Sequence, residues 1–222
     1  MNKKINYQKK LDNLLEGISA DGRRPTLLLH ACCGPCSSYV LEYLSSRFEI
    51  TVLYYNPNIY PSAEYDRRLN ELLTFYTKFV PAKNVRVIQA PYEPEDFYNA
   101  VGTRENPELA KEPERGERCR RCYELRLRYT YNYACTNNFD YFCTTLSISP
   151  FKDADMINEI GETLNKETVE GSRWLPSDFK KRNGFKRSLE LSAEYNLYRQ
   201  EYCGCIYSIQ PQTDQSACQS LQ

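Results

Sequence analysis

Histidine is almost missing from this sequence. His30 is the only one in 222 residues, which excludes a metal centre built on two or three imidazoles and leaves a mixed Cys/His zinc site short of nitrogen. Long apolar runs are missing too. No window approaches the ~18 apolar residues of a membrane span, and the opening stretch MNKKINYQKKLDNLLEG is charged and polar, without the apolar centre of a signal peptide. There is no excess of charge: 29 basic side chains balance 29 acidic ones, which speaks against a generic polyanion binder. There is no internal repeat. With 41% apolar and 26% charged residues the composition excludes wholesale disorder, and the length suits one α/β domain with room for a small insertion.

Cysteine is what the chain has in quantity. The ten are Cys32, Cys33, Cys36, Cys119, Cys122, Cys135, Cys143, Cys203, Cys205 and Cys218. The polar start and the lack of spans set the expectation of a cytoplasmic protein. There thiols stay reduced, and clustered cysteines bind metal or do redox work more often than they staple a fold.

The zero net charge is an average. Residues 93 to 117 hold Glu93, Glu95, Asp96, Glu105, Glu108, Glu112, Glu114 and Glu117 against three basic residues, and Arg118, Arg120, Arg121, Arg126 and Arg128 follow at once. A second basic run comprises Lys180, Lys181, Arg182, Lys186 and Arg187. Solvated faces account for most such runs, but two beside cysteine motifs leave a local polyanion site open.

Strand and helix signals alternate along the chain. Thr26 to His30 is a short apolar run that stops at the turn-rich ACCGPCSS, after which Ser37 or Ser38 is expected to cap a helix. Glu49 to Tyr55 predicts a second strand, and Ser62 opens a long helix with Tyr65, Leu69, Leu72, Tyr76 and Phe79 on one face. Val85 to Ala90 predicts strand three, and Pro94 to Val101 a short helix. Residues 102 to 118, rich in Gly, Pro and Glu, predict a loop insertion, and a helix follows from Cys119 to about Asn137. Tyr141 to Leu146 predicts strand four, with a helix from Asp153 or Asp155, a fifth strand between Lys166 and Trp174, and a helix from Arg187 to Tyr198. The order predicts an α/β fold with a doubly wound, mainly parallel sheet. The expected organisation is a single α/β catalytic domain over 1–205, the insertion at 102–118 included, and a C-terminal tail over 206–222. Ligands of such sheets sit beyond the carboxyl ends of the strands, where CCGPCSS falls.

Three cysteine groups carry the chemistry. Cys32, Cys33 and Cys36 lie within five residues of a tight turn and can converge on one cofactor or on two neighbours. Cys119-x-x-Cys122 brings the second sulfur round about one turn later, a spacing that suits zinc, an iron–sulfur cluster or a dithiol pair. A Cys203-Gly204-Cys205 disulfide would close a small strained ring, labile and suited to passing two electrons, although two ligands or two buried thiols would fit the same spacing. Cys143 in an apolar strand, Cys135 in a helix and Cys218 near the end are bystanders. Seven cysteines in three groups exceed one tetrahedral zinc; four ligands and a redox dithiol account for six, which points to an iron–sulfur redox enzyme.

Together, CCGPC after the first strand, CRRC, TTLSISPFKD at 144–153, FKKRNGFKRS at 179–188 and YRQEYCGC at 198–205 resemble the epoxyqueuosine reductases of the QueH type over residues 24 to 205. The resemblance implies a fold like that of the PP-loop (adenine nucleotide alpha hydrolase-like) proteins, whose phosphate-binding loop stands where this chain has CCGPCSS, with an insertion carrying the CxxC motif. It implies reduction of epoxyqueuosine to queuosine at the wobble position of tRNA, the last step of queuosine biosynthesis, with a [4Fe–4S] cluster and an adjacent mononuclear metal ion, iron. On this resemblance Cys32, Cys33, Cys119 and Cys122 are the cluster ligands, Cys36 a ligand of the neighbouring metal, and Cys203 and Cys205 the redox-active pair. Lys152, Asp153 and Tyr202 are candidates for proton supply or orientation. Arg120, Arg121, Lys180, Lys181 and Arg182 are candidate phosphate contacts. The expected partners are tRNA carrying epoxyqueuosine and an electron donor, with no membrane. Two other readings stay open: a zinc-binding structural or nucleic-acid adaptor, and an ATP-using tRNA thiolation-type enzyme. The second would need a glycine- and serine-rich phosphate cradle where the chain has cysteines.

Overall fold

The strands are apolar on both faces because both faces are covered. The computed structural model describes residues 5–20, 22–167 and 171–209. α1 (Tyr7–Ala20) leads into β1 (Thr26–His30), α2 (Gly34–Leu44), β2 (Glu49–Tyr54), α3 (Ser62–Lys78), β3 (Arg86–Gln89), α4 (Pro94–Val101), the single turn α5 (Glu108–Lys111), α6 (Glu117–Thr136), β4 (Tyr141–Thr144), α7 (Ala154–Leu164), β5 (Arg173–Trp174) and α8 (Gly184–Glu194). The five strands form one sheet in the order β3-β2-β1-β4-β5, every pair parallel. The doubly wound α/β expectation holds.

The two-residue period of the strands divides the interior in two. Leu27 and Leu29 of β1, Val52 and Tyr54 of β2, and Tyr141 and Cys143 of β4 join the core beneath α1, α2, α3 and α8. Leu28, Leu53 and Phe142, the alternate residues, join the core beneath α6 and α7. No helix among the described residues is long and apolar enough to cross a membrane.

Several boundaries differ from the sequence reading, each for a local reason. α2 starts at Gly34, with Pro35 in its first turn, a position that proline favours. Ser37 and Ser38 therefore lie inside the helix, their hydroxyls donating back to the carbonyls of Gly34 and Pro35 at 2.9 Å. α6 begins two residues before Cys119, which puts both CxxC cysteines in its opening turns. β4 stops at Thr144, and 145–148 wind into a 3-10 turn. α8 spans Gly184–Glu194, ending before Tyr195 and leaving 195–205 as a strap without regular helix or strand. Residues 102–118 are ordered around buried Arg118, whose guanidinium donates to the carbonyls of Leu109 (2.6 Å) and Ala110 (3.0 Å). Beyond 205, residues 206–208 form another 3-10 turn, and the Tyr207 hydroxyl lies 2.8 Å from that of Thr103. Residues 210–222, with Cys218, lie outside the described residues.

Candidate metal and thiol centre

Four segments meet at the carboxyl edge of the sheet, the usual ligand position for this fold. They are the β1–α2 turn carrying Cys32, Cys33 and Cys36, the opening of α6 carrying Cys119 and Cys122, the segment after β4 carrying Lys152, and the strap carrying Cys203 and Cys205. A cleft of about 830 Å³ opens over them, lined by Cys32, Cys36, Glu114, Lys152, Tyr202 and Cys203 among others. Phe151 stands at this cleft with 66% of its surface exposed. A smaller cavity behind it is bounded by Cys119, Cys122, Cys203, Cys205, Arg126 and Lys152.

The sulfurs of Cys32, Cys33 and Cys36 all lie within 4.8 Å of one another, close enough to hold a metal ion, with Cys32 and Cys33 buried. Cys119 packs in the same core as Cys32 and Cys33, whereas Cys122 packs with Cys205 and against Cys203. The sulfurs of Cys203 and Cys205 are 3.6 Å apart, and all nine described cysteines are free thiols.

The environment makes unlike thiols of like residues. Hydrogen bonds from Cys33 and Cys36, with the Lys152 charge behind them, hold the Cys32 thiol well below the ordinary thiol range despite burial. The same bonding pushes Cys33 up to about 12 and Cys36 upward. Cys203 is driven well down by its bond from Cys205 and then by Lys152, and Ser208 Oγ stands 3.0 Å from its sulfur. Cys205 is correspondingly raised. Burial disfavours the charge on Lys152, yet the anionic Cys203 and Cys32 keep its ammonium above the ordinary lysine value.

The other sequence candidates fall in different places. Tyr202 borders the cleft, and its hydroxyl donates to Tyr60 O at 2.5 Å. Asp153 is the N-cap of α7: its carboxylate accepts from Met156 N at 3.0 Å, and it does not line the cleft. Arg120 pairs with Glu159 of α7 at 3.7 Å and Arg121 with Glu117 at 2.9 Å, on the α6–α7 side of the sheet. Lys180 pairs with Asp178 at 2.8 Å and Arg182 with Asp12 of α1 at 2.6 Å, on the opposite side, with Lys181 exposed between them.

Sequence reasoning passed over four residues here. Arg126 is buried, donates from Nε to Cys122 O at 3.3 Å, and adds a second cation among the sulfurs. Arg68 is buried beneath the strap. Glu114 lines both cavities, its carboxyl pushed up by burial and by Cys203. Gln200 donates from Nε2 to Cys33 Sγ at 3.3 Å. No local pattern sets Arg68 apart: Glu64, Arg68 and Glu71 share the i, i+4, i+7 spacing of one helix face, but Asp66, Arg67 and Asn70 stand in the same helix.

The family described as Epoxyqueuosine reductase QueH matches residues 27–211. Named relatives are similar across nearly the whole chain. The Epoxyqueuosine reductase QueH of Staphylococcus epidermidis is 40% identical over 95% of this chain and 87% of its own length. That of Streptococcus pyogenes serotype M1 is 41% identical over 95% of this chain and 81% of its own. The Thermotoga maritima protein of the same name is 32% identical over 83% of this chain and 90% of its own.

Proposed function

The chain belongs to the epoxyqueuosine reductase QueH family and is an oxidoreductase of queuosine biosynthesis, and on that premise we propose how its own residues carry the reaction. The substrate is the epoxyqueuosine base of a tRNA anticodon, extruded into the cleft beside Lys152 and Cys203, and the product is queuosine. Cys203 and Cys205 are the electron-carrying dithiol. Cys32, Cys33, Cys119 and Cys122 hold a [4Fe–4S] cluster, and Cys36 binds a neighbouring metal ion.

One observation carries this reading: a group of three sulfurs within 4.8 Å of one another and a free dithiol meet at a single cleft, whose wall holds Cys32 and Cys36 of the first, Cys203 of the second, and Lys152. The donor set fits the group. All candidate ligands are thiols with no imidazole or carboxylate among them, which suits soft, thiolate-ligated iron. When bound, the cluster and the adjacent ion would supply one-electron transfer and a Lewis acid for the epoxide oxygen.

The reaction balances on the dithiol. Two thiols become one disulfide, releasing two electrons and two protons; the epoxide takes up both, loses its oxygen as water and leaves a carbon–carbon double bond. Lys152, with three N–H donors at the cleft, orients the departing oxygen and supplies a proton to it. Tyr202 forms part of the wall. Single-stranded anticodon bases splay outward and stack on aromatic rings, and exposed Phe151 offers such a face. Arg120, Arg121, Lys180, Lys181 and Arg182 contact phosphates on either side, a local footprint on a chain of zero net charge.

The test is anaerobic purification with iron and sulfide analysis, then incubation with epoxyqueuosine-containing tRNA and a reductant. Iron, acid-labile sulfide and queuosine are expected. A zinc-containing, colourless protein that leaves the nucleoside unchanged refutes the reading. Cys203→Ser is expected to abolish turnover and keep the iron; loss of the iron would move Cys203 into the ligand set.

A further inference from the structure

The strap carrying the dithiol is held by one face of α3. Arg68 is 1% exposed, and its Nε donates to Glu64 Oε1 at 2.7 Å. That contact leaves both ends of the guanidinium for the strap: Nη1 donates to Cys203 O and Nη2 to Tyr202 O, each at 3.4 Å. Glu64 also accepts from the Tyr198 hydroxyl at 3.1 and 3.2 Å, and Glu71, two turns further on, accepts from Tyr198 N at 2.8 Å. From the other side Tyr60 N donates to Gly204 O at 2.8 Å. Gly204 has φ +116°, and a Cβ there would stand 3.0 Å from Arg68 Nη1 and 3.1 Å from Ile59 Cγ1. The fork grips the carbonyl of a cysteine of the pair, directly before a residue whose backbone needs glycine.

We propose that Arg68 is a positioning residue for the reductase reaction, holding the Cys203-Gly204-Cys205 loop so that its two sulfurs face each other and thereby setting the dithiol–disulfide equilibrium. The proposal rests on the reading of Cys203 and Cys205 as the electron-carrying pair. In the step concerned, one S–S bond forms, two S–H bonds break, and two electrons and two protons pass to the epoxide or, in the assay, to oxidised glutathione. A rigid grip on the loop raises the effective concentration of each thiol at the other, as preorganisation does in any intramolecular step. Lysine cannot substitute, because it has no planar fork to span two carbonyls while remaining bonded to Glu64.

The test equilibrates the full-length protein anaerobically with glutathione buffers of graded redox ratio and quantifies the oxidised fraction of the 203–205 peptide by differential alkylation and mass spectrometry. The Glu64→Gln/Arg68→Met double variant removes both buried charges together. Its disulfide-to-dithiol ratio is expected to fall about tenfold at fixed glutathione, which is ~30 mV for a two-electron couple. Gly204→Ala, whose Cβ would crowd Arg68 Nη1 and Ile59 Cγ1 and so displace the loop while leaving both buried charges in place, is expected to shift the ratio the same way and decides the matter if the double variant does not fold. Arg67→Met is the control: its guanidinium stacks 3.4 Å from the Tyr198 ring centre and does not reach the carbonyls, so the ratio stays at the wild-type value. A cycling wild-type pair with folded variants unchanged within twofold overturns the positioning role alone. A wild-type pair that forms no disulfide at any ratio overturns the electron-carrying reading, and this one with it.

Discussion

The single histidine offers a measurement that few proteins allow. His30 ends β1 and is wholly buried. Its Nε2 lies 3.0 Å from Tyr55 O, a carbonyl that can only accept, so the ring proton sits there. Nδ1 then accepts from the Thr144 hydroxyl at 2.8 Å, and Thr144 Oγ1 in turn accepts from Leu146 N at 3.2 Å. The ring thus locks the ends of β1 and β4 to the segment leading to Lys152. Burial, reinforced by the Arg126 charge, lowers its pKa from 6.5 to about 4. The fold therefore binds the neutral ring, and the unfolded chain takes up the proton first. The resulting stabilisation is complete above pH 6.5 and is lost as pH falls from 6.5 through about 4. At ~1.4 kcal/mol per tenfold the full loss is about 3 kcal/mol, and about 2 kcal/mol of it has gone by pH 5. The assay compares urea unfolding of the metal-free protein with that of His30→Gln, whose side chain stays neutral. The stability difference between the two is expected to shift against wild type by about 2 kcal/mol between pH 7.5 and pH 5. One ring resonance in the proton spectrum, unambiguous because no other histidine exists, should stay neutral to below pH 5. A ring that titrates near its ordinary value, or a difference independent of pH, refutes the argument.

Three further outcomes follow from the same geometry. Lys152→Met is expected to slow iodoacetamide labelling of Cys203 at pH 7 at least tenfold, with Lys152→Arg recovering most of the rate; a rate within twofold of wild type removes Lys152 as the cation that holds this thiol ionised. Asp153→Ala, which deletes the α7 cap, is expected to cost about 1 kcal/mol in urea unfolding and leave turnover within threefold; a tenfold loss of turnover at normal stability would restore Asp153 to the chemistry. Arg120→Ala and Lys181→Ala are each expected to weaken tRNA binding and reduce the slope of log affinity against log salt by about one; unchanged slopes would place the phosphates elsewhere.

The sheet was legible because parallel strands covered on both faces must be short apolar runs, and Thr26 to His30 and Glu49 to Tyr54 are such runs. α1 is hard to read because its buried residues, Tyr7, Leu11, Leu15 and Ile18, are scattered through a mostly polar stretch, although their spacing is helical. Boundaries set by tertiary contacts were out of reach. The carbonyls of 109 and 110 order the insertion through Arg118, a partnership that no local pattern encodes. At the site, the motif cysteines announced themselves by spacing. Arg68, Arg126 and Glu114 did not, since a buried charge looks in sequence like any surface charge until its partners are known.

Those buried charges explain how thiols can occupy the place where related sheets bind phosphate. A helix that starts directly after a strand presents free N–H groups and the positive end of its dipole, an arrangement suited to an anion. Here α2 begins at Gly34 with Cys33 as its N-cap, so the chain sets its own cysteines at that terminus. One helix terminus offers only about half a charge, too little for several sulfurs buried together. The remainder comes from Arg126, Lys152 and Arg68, which α6, the segment after β4, and α3 send toward the same sulfurs: Arg126 interacts with Cys122 and Cys32, Lys152 with Cys203 and Cys32, and Arg68 with Cys33 and Cys32. Cys32 is common to all three. It is also the thiol of the β1–α2 turn that is held furthest toward its ionised form, whereas Cys33 and Cys36 are pushed the other way. Net neutrality in the chain therefore coexists with a locally cationic interior, and that interior lets a site built almost wholly from sulfur lie buried at the edge of the sheet.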